Sequence, residues 1–279
     1  MGNGLDDIER HYGRGGLSER ILAALKEAGK DLGRLTIEDL APIDEFHTRR
    51  RIATTELAAL LAPKAADRVL DIGSGLGGPA RHLASAFGCR VTGIDLTEEF
   101  VSTATELTRL TGLSDRVDFQ QGSALDLPFA DQTFDLAWSQ NVAMNIADRP
   151  RYYAEMRRVL KSGGRLAIQD VALGPAGAPH YPLMWADTPA TSFLRTPEET
   201  RGLLEAAGYE VVVWQDNTAS AIAELDAERA RMQASPGERP VLGIHVVVGP
   251  TFFDKARNAQ RSMREDRIRL INAVLRRRG

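Results

Sequence analysis

Hydrophobic positions in the chain follow two periods, and the change between them falls near residue 65. Before it, GLSERILAALKEAG sets Leu17, Ile21, Leu22 and Leu25 at helical spacing and stops at Gly29. RIATTELAALLA repeats the helical pattern and closes at Pro63. After residue 67, RVLDI, CRVTGID, RVDFQQG, FDLAWSQ, GGRLAIQD, YEVVVWQD and VLGIHVVVG are seven short apolar runs, most of them separated by helical stretches. Strands alternating with helices build a parallel sheet covered on both faces. The pattern therefore predicts an α/β, doubly wound, seven-stranded and mainly parallel sheet preceded by N-terminal helices. On this reading residues 1–64 are a helical cap and residues 65–279 a ligand-binding domain.

Helix starts support that division. Thr97 precedes Glu98 and Glu99, which suit the positive end of a helix dipole, and Thr196-Pro197-Glu198-Glu199 is a capping box with proline at the first helical position. Between the fifth strand and this cap lies ALGPAGAPHYPLMWADTPATSFLR, too long for a simple connection. Its proline, glycine and aromatic content predicts a lid over residues 172–196. From Trp214 onward the pattern predicts a charged helix, the strand VLGIHVVVG and a C-terminal helix ending RRRG.

Composition narrows the partners. The net charge is −3, with 35 basic and 38 acidic residues interspersed, so no global field marks the chain for nucleic acid or an acidic membrane. No run reaches the length of a membrane span, and MGNGLDDIER has no apolar signal core, so the expectation is a cytoplasmic enzyme without membrane insertion. The single cysteine, Cys89, reads as a buried thiol, and no metal-ligand cluster is visible. The expected partner is a small molecule, with homodimerisation left open.

The strongest chemical signal is VLDIGSGLGG at residues 69–78. A buried strand runs into Gly73, Gly75, Gly77 and Gly78 and then into a helix, so backbone amides can approach a ligand closely. Gly73, Gly75 and Gly78 also satisfy G-x-G-x-x-G, with Asp95 ending the second strand, so an NAD-dependent oxidoreductase stands as an alternative. Asp71 separates the two readings. A carboxylate at this strand end would repel a pyrophosphate, whereas an adenosyl amino acid bearing an ammonium and a sulfonium is attracted to it.

The run Asp71-x-Gly73-x-Gly75-x-Gly77 resembles motif I of class I S-adenosylmethionine-dependent methyltransferases, and Asp95 in VTGIDL resembles the acid that binds the ribose hydroxyls, with Leu96 beside it. RVDFQQGSALDLPF resembles the third strand and its loop, but Gly122-Ser123-Ala124 stands where the family commonly has Gly-Asp-Ala. Ser123 can hydrogen-bond to the adenine but lacks the charge. Residues 134–146 and 149–170 resemble the fourth strand, the following helix and the fifth strand, and the match runs over roughly residues 47–216. Within small-molecule methyltransferases the chain is most similar to the sarcosine and dimethylglycine N-methyltransferase and tocopherol methyltransferase group. The resemblance implies a Rossmann-like methyltransferase fold, S-adenosyl-L-methionine as cofactor, S-adenosyl-L-homocysteine as product and a small methyl acceptor, with nitrogen favoured over oxygen, sulfur or carbon.

Ligands of open α/β sheets lie beyond the carboxyl ends of the strands, which brings SQNVAMNI to the reacting centre. Gln140 and Asn141 are candidates to position an acceptor, Asn141 also to touch the cofactor, and Asn145 follows one turn later. APIDEFHTRRRIAT adds Asp44, Glu45 and His47 ahead of a helix, and His47 is a candidate base or acceptor anchor. Tyr12 could cover the sulfonium by a cation–π contact, and His180, Tyr181 and Trp185 could shape the acceptor cavity. His82 and His245 read as structural, and Arg49, Arg50 and Arg51 as a solvated helix face. One cysteine disfavours arsenite chemistry, and the lack of a basic stripe or base-binding motif disfavours nucleic acid. A catalytically idle adenosyl-binding protein is the third class, since a fold alone never establishes activity.

Overall fold

A computed structural model describes residues 15–234 and 241–279. Three helices come first: α1 (Leu17–Glu27), α2 (Ile37–Asp44) and α3 (Arg50–Leu61). The sheet then builds through β1 (Arg68–Ile72), α4 (Gly78–Phe87), β2 (Arg90–Asp95), α5 (Glu98–Leu110), β3 (Val117–Gln121), β4 (Phe134–Gln140), α6 (Arg149–Val159) and β5 (Leu160–Leu173). It ends with α7 (Pro197–Ala206), β6 (Tyr209–Asp216), α8 (Thr218–Ala234), α9 (His245–Val248), α10 (Phe252–Arg264) and β7 (Ile268–Arg277).

The seven strands lie in the order β3-β2-β1-β4-β5-β7-β6, with β7 antiparallel to both of its neighbours. The strand order reverses beside β1, and in doubly wound sheets the crevice for a ligand opens at such a reversal. Alternate residues of β1 serve opposite faces. Leu70 and Ile72 pack with Tyr152, Met156 and Val159 of α6, whereas Val69 packs with Leu57, Ala58 and Leu61 of α3 and Ala80, Leu83 and Ala84 of α4. This double coverage explains why the strands read as apolar runs rather than alternations. Cys89 belongs to the α3/α4 face, where burial pushes its thiol up to about 11, as befits a packing residue.

The capping box at Thr196 forms as the sequence predicts: its hydroxyl accepts from the Glu199 amide while the Glu199 carboxylate accepts from the Thr196 amide. A second, unforeseen box at Thr36 and Asp39 starts α2.

Two expectations are corrected. VLGIHVVVG is not a strand: His245–Val248 is one turn of helix, closed by Gly249, and its apolar side chains pack on Leu17, Ile21, Leu76 and Phe100. The expected C-terminal helix forms over Phe252–Arg264 (α10) but does not run on to RRRG: the chain ends in β7, whose side chains from Leu270 to Leu275 are all buried. The physical reason is shared. A short, fully buried apolar run has no period, so the vacant place between β5 and β6 decides which of the two becomes the strand.

The segment after β5 is more than a loop over solvent. Leu183, Trp185 and Ala186 are buried against Met144, Val171, Met263 and Leu270, and Trp185 Nε1 donates to Ser192 Oγ at 3.0 Å. No described helix is long and apolar enough to cross a membrane.

Candidate active site

The glycine loop between β1 and α4 is shaped by backbone demands. Gly73, Gly75 and Gly77 have φ of 71°, 53° and 78°, a region that costs residues with a Cβ. A Cβ on Gly73 would come within 2.3 Å of Val142 Cγ2, and one on Gly77 within 2.4 Å of Phe119 Cζ. Gly75 is different, because nothing lies within 4 Å of where its Cβ would be. That space belongs to the cavity.

Gly78 opens α4, and a Cβ there would lie 2.4 Å from the Asp44 carbonyl oxygen at the end of α2. Since the obstacle is backbone, Gly78→Ala is expected to lower stability by about 2–4 kcal/mol, read as a lower denaturant midpoint with unchanged slope. Wild-type stability in that variant would show that α2 does not need its close seat on the loop.

One cavity gathers most of the residues singled out from the sequence. Its lining includes His47, Asp71, Gly73, Gly75, Asp95, Leu96, Ser123, Ala124, Gln140, Asn141 and Asn145. Gly77 lies behind the loop and shapes it from there. Tyr12 lies outside the described residues. The lining also holds Asp44, Phe46, Ser74, Leu76, Thr97 and Phe100.

Asp95 grips the loop with both oxygens. Oδ2 accepts from the Gly75 amide at 2.8 Å and Oδ1 from the Thr97 amide at 3.0 Å. The Thr97 hydroxyl and the Leu96 amide also approach this carboxylate. Desolvation raises the Asp95 carboxyl, and these donors oppose the rise.

Asp71 is only 2% exposed, and its Oδ2 has no hydrogen-bond partner among the described residues. Burial pushes its carboxyl up to about 8, with the negative charges of Asp95 and Glu45 adding to the effect and Arg81 opposing it. Asp44 repeats the theme. It pairs with the buried Arg81 at 2.8 Å through Oδ2, while its Oδ1 is unpartnered, and burial raises its carboxyl as well. Three carboxylates thus line the cavity, and no lysine or arginine is among the described lining residues.

Asn141 ends β4 in a left-handed conformation with φ 53°, held by its amide donating to the Gln169 carbonyl at 2.7 Å. Its Oδ1 is buried without a partner. Such an outlier, next to a cavity, presents a polar atom at a cost in backbone strain.

Gln140 is bound into the wall. Its Oε1 accepts from Trp138 Nε1 at 2.9 Å and lies 3.3 Å from Thr54 Oγ1, and its Nε2 donates to Gln169 Oε1 at 2.6 Å. Gln169 in turn donates to the Thr48 carbonyl at 2.9 Å. Thr54 donates to Glu45 Oε2 at 2.7 Å, and that oxygen lies 2.8 Å from His47 Nε2. Glu45 is wholly buried, and Arg51 donates to its other oxygen. Burial alone would raise the Glu45 carboxyl, yet the hydrogen bond and charge of His47, the charge of Arg51 and the Thr54 hydroxyl outweigh it and hold it down to about 2.

Ser123 Oγ accepts from the Leu125 amide at 3.2 Å, which shapes its own turn. Asn145 donates to the Trp185 carbonyl at 2.9 Å and so ties the segment after β5 to the cavity wall. The remaining candidates lie elsewhere. His180 pairs with Glu265 at 2.7 Å, His245 stacks near Phe252, and Arg49 bridges Glu56 of α3 to Glu224 of α8. Among the described residues, no group of three or more His, Cys, Asp or Glu is placed to hold a metal ion.

Comparison with known proteins agrees with this geometry. Residues 70–168, from β1 to β5, match the methyltransferase domain family. The chain is 38% identical over 141 residues to the 27-O-demethylrifamycin SV methyltransferase of Amycolatopsis mediterranei (strain S699), covering 50% of this chain and 51% of that protein. It is 30% identical over 184 residues to the sarcosine/dimethylglycine N-methyltransferase of Halorhodospira halochloris, covering 65% and 64%. The chain spans about half the length of the first curated relatives it matches. In structure it resembles the phosphoethanolamine N-methyltransferase 2 of Haemonchus contortus, solved with S-adenosyl-L-methionine, at a TM-score of 0.73 and 18% identity over 100% of this chain and 61% of that one. The match to the methyltransferase domain family thus falls on residues 70–168 of a Rossmann-like sheet, and a sarcosine/dimethylglycine N-methyltransferase, of the group that the sequence resembles, is among the similar proteins.

Proposed function

We propose that the protein binds S-adenosyl-L-methionine in this cavity and directs its methyl group, by in-line displacement, to a nucleophilic atom of a small-molecule acceptor. The observation that carries the reading is the buried, unpartnered Asp71 Oδ2 beside a glycine loop kept open at Gly75. A buried carboxyl that regains its charge when a cation arrives, in a lining without lysine or arginine, favours a cationic ligand and penalises a pyrophosphate. The same argument sets the NAD alternative aside.

The bound cofactor supplies an activated methyl group on a sulfonium. The chain's own residues bind and align it. Gly73, Gly75 and Gly77 bring the backbone close, Asp71 faces the cationic amino-acid end, Asp95 takes the ribose hydroxyls, and Leu96, Ser123 and Ala124 border the adenine. Asn141 offers its Oδ1 to a donor on either ligand. Exclusion of water falls to α1, α2 and α3 ahead of the sheet and to the lid of residues 172–196, since displacement at carbon requires alignment more than acid–base help. The named relatives act at oxygen and at nitrogen, so the acceptor atom is decided by this chain's own residues.

Thermal denaturation with added ligand tests the reading, because a ligand that binds only the folded form raises its melting temperature. At a hundredfold excess over the dissociation constant, S-adenosyl-L-homocysteine is expected to stabilise the protein by about 2.7 kcal/mol, and NADH by nothing measurable. A rise with NADH alone would overturn the assignment.

A further inference from the structure

Behind the cavity wall lies a buried carboxylate with no part in the chemistry described so far. Asp170 of β5 is 4% exposed and stands outside the cavity lining. Its Oδ1 accepts from the Ala143 amide at 3.3 Å, and the Val142 amide also approaches this carboxylate. Gln169, one residue earlier, takes the Asn141 amide on its carbonyl at 2.7 Å. Two neighbouring residues of β5 therefore gather three successive amides of the turn that leaves β4. That turn needs holding. Asn141 has φ 53°, which costs a residue with a Cβ and persists only where the surroundings over-determine it. Val142 is the side chain that a Cβ on Gly73 would strike at 2.3 Å, so the turn is seated directly on the glycine loop. Asn141, Val142, Asn145 and Ile146 all line the cavity. The nearby cation is engaged elsewhere, since Arg149 donates to the Ile146 carbonyl at 3.2 Å, the Tyr153 hydroxyl at 3.0 Å and the Phe193 carbonyl at 3.3 Å. Its charge reaches Asp170 all the same.

Resting on the function proposed above, we propose that Asp170 is a positioning residue, which holds the turn of residues 141–143 against the glycine loop and so sets where Asn141 meets the bound ligands. For the fold alone its charge is unfavourable. Burial pushes the carboxyl up to about 6 from an ordinary 3.8, with the charge of Arg149 and the two amides opposing the rise. The folded state therefore keeps a proton that the unfolded chain has released, and stability is lost as pH rises from about 4 to about 6 and stays lower above that. Asparagine would offer an oxygen to the amides without that loss. What the charge adds is grip, because an ionised acceptor holds an amide about twice as strongly as a neutral one. The groups around it are Arg149 of α6, Tyr152 and Tyr153 of the same helix, whose hydroxyls both sense its charge, and the apolar Ile271 opposite it on β7.

Asp170→Asn separates the turn from the fold. At pH 7.5 the ligand-free variant is expected to have a denaturant midpoint no lower than that of the wild type, yet to bind S-adenosyl-L-homocysteine about three- to tenfold more weakly by calorimetry. A second readout needs no ligand. Asn141-Val142 is the only Asn-Val pair in the chain, so carbon-13 in the asparagine carbonyls and nitrogen-15 in the valines single out the Val142 amide. In the wild type its proton signal is expected to move upfield with a midpoint near pH 6 as the carboxylate gains a proton, and in Asp170→Asn to show no such step. A wild-type amide without the step, a variant that retains it, or unchanged affinity for S-adenosyl-L-homocysteine would each overturn the proposal. So would a midpoint that falls together with the affinity, since that is the mark of a residue serving the fold alone. Failure of the wild type to bind S-adenosyl-L-homocysteine would instead sink the parent function, while the Val142 step would still report whether Asp170 holds the turn.

Discussion

Replacing Asp95 by alanine is expected to abolish the stabilisation that S-adenosyl-L-homocysteine confers, while the ligand-free protein still folds. On the ribose assignment each carboxylate oxygen accepts one hydroxyl, and a charge-assisted hydrogen bond of this kind contributes about 1.5–3 kcal/mol. Losing both would weaken binding by two to four orders of magnitude, roughly. The same substitution strips acceptors from the Gly75 and Thr97 amides, which are held at 2.8 and 3.0 Å. Part of the loss would therefore come from a loosened loop. Asp95→Asn separates the two, since one amide oxygen still anchors one backbone donor, and its affinity should fall between those of the wild type and the alanine variant. An undiminished thermal shift in Asp95→Ala would remove Asp95 from the cofactor site.

Asp71→Asn should move stability and binding in opposite directions. The folded carboxyl titrates at about 8 against an ordinary value of 3.8, so the folded state holds a proton that the unfolded chain has released. Stability is therefore lost as pH rises from about 4 to about 8 and levels off above that. Asparagine carries no such loss, and the ligand-free variant should be the more stable by about 1–3 kcal/mol at pH 8.5, with a smaller gain at pH 5. Cofactor affinity should behave conversely. A cationic ligand favours ionised Asp71, so wild-type affinity should increase up to about tenfold per pH unit below pH 8, whereas the variant should bind weakly and without that slope. Denaturant unfolding at pH 5 and 8.5 checks the stability and calorimetric titrations between pH 6 and 8 the affinity, and a pH-independent wild-type affinity would show that Asp71 does not face the cation.

What could be read from the sequence divides along physical lines. The glycine loop, Asp71 and Asp95 were legible because their chemistry is local: left-handed glycines and a strand-end acid are coded within one short run. The capping box at Thr196 is local in the same sense. Thr54 and Gln169 were missed although each left a trace. Thr54 is a polar residue on the buried face of an otherwise apolar helix, beside Leu57, Ala58 and Leu61, and Gln169 interrupts the apolar run of β5. Their partners, Glu45, Gln140 and the Thr48 carbonyl, come from distant segments, so no spacing rule links them. Gln140, a candidate to position an acceptor, lines the cavity, and its amide is also held by Trp138 and Gln169.

The exchange of identities between VLGIHVVVG and the final strand has the same origin. Both runs are apolar and short, and only the second takes the place between β5 and β6.

That placement bears on how the molecule acquires its shape. β7 lies between β5 and β6, yet it is reached only after residues 217–267 have been traversed. Until then β5 offers an open rim and β6 has no neighbour at all, so a partly made chain exposes ready templates for association with other chains. Halting synthesis or clipping the polypeptide before residue 268 should thus yield aggregates, not a smaller working enzyme.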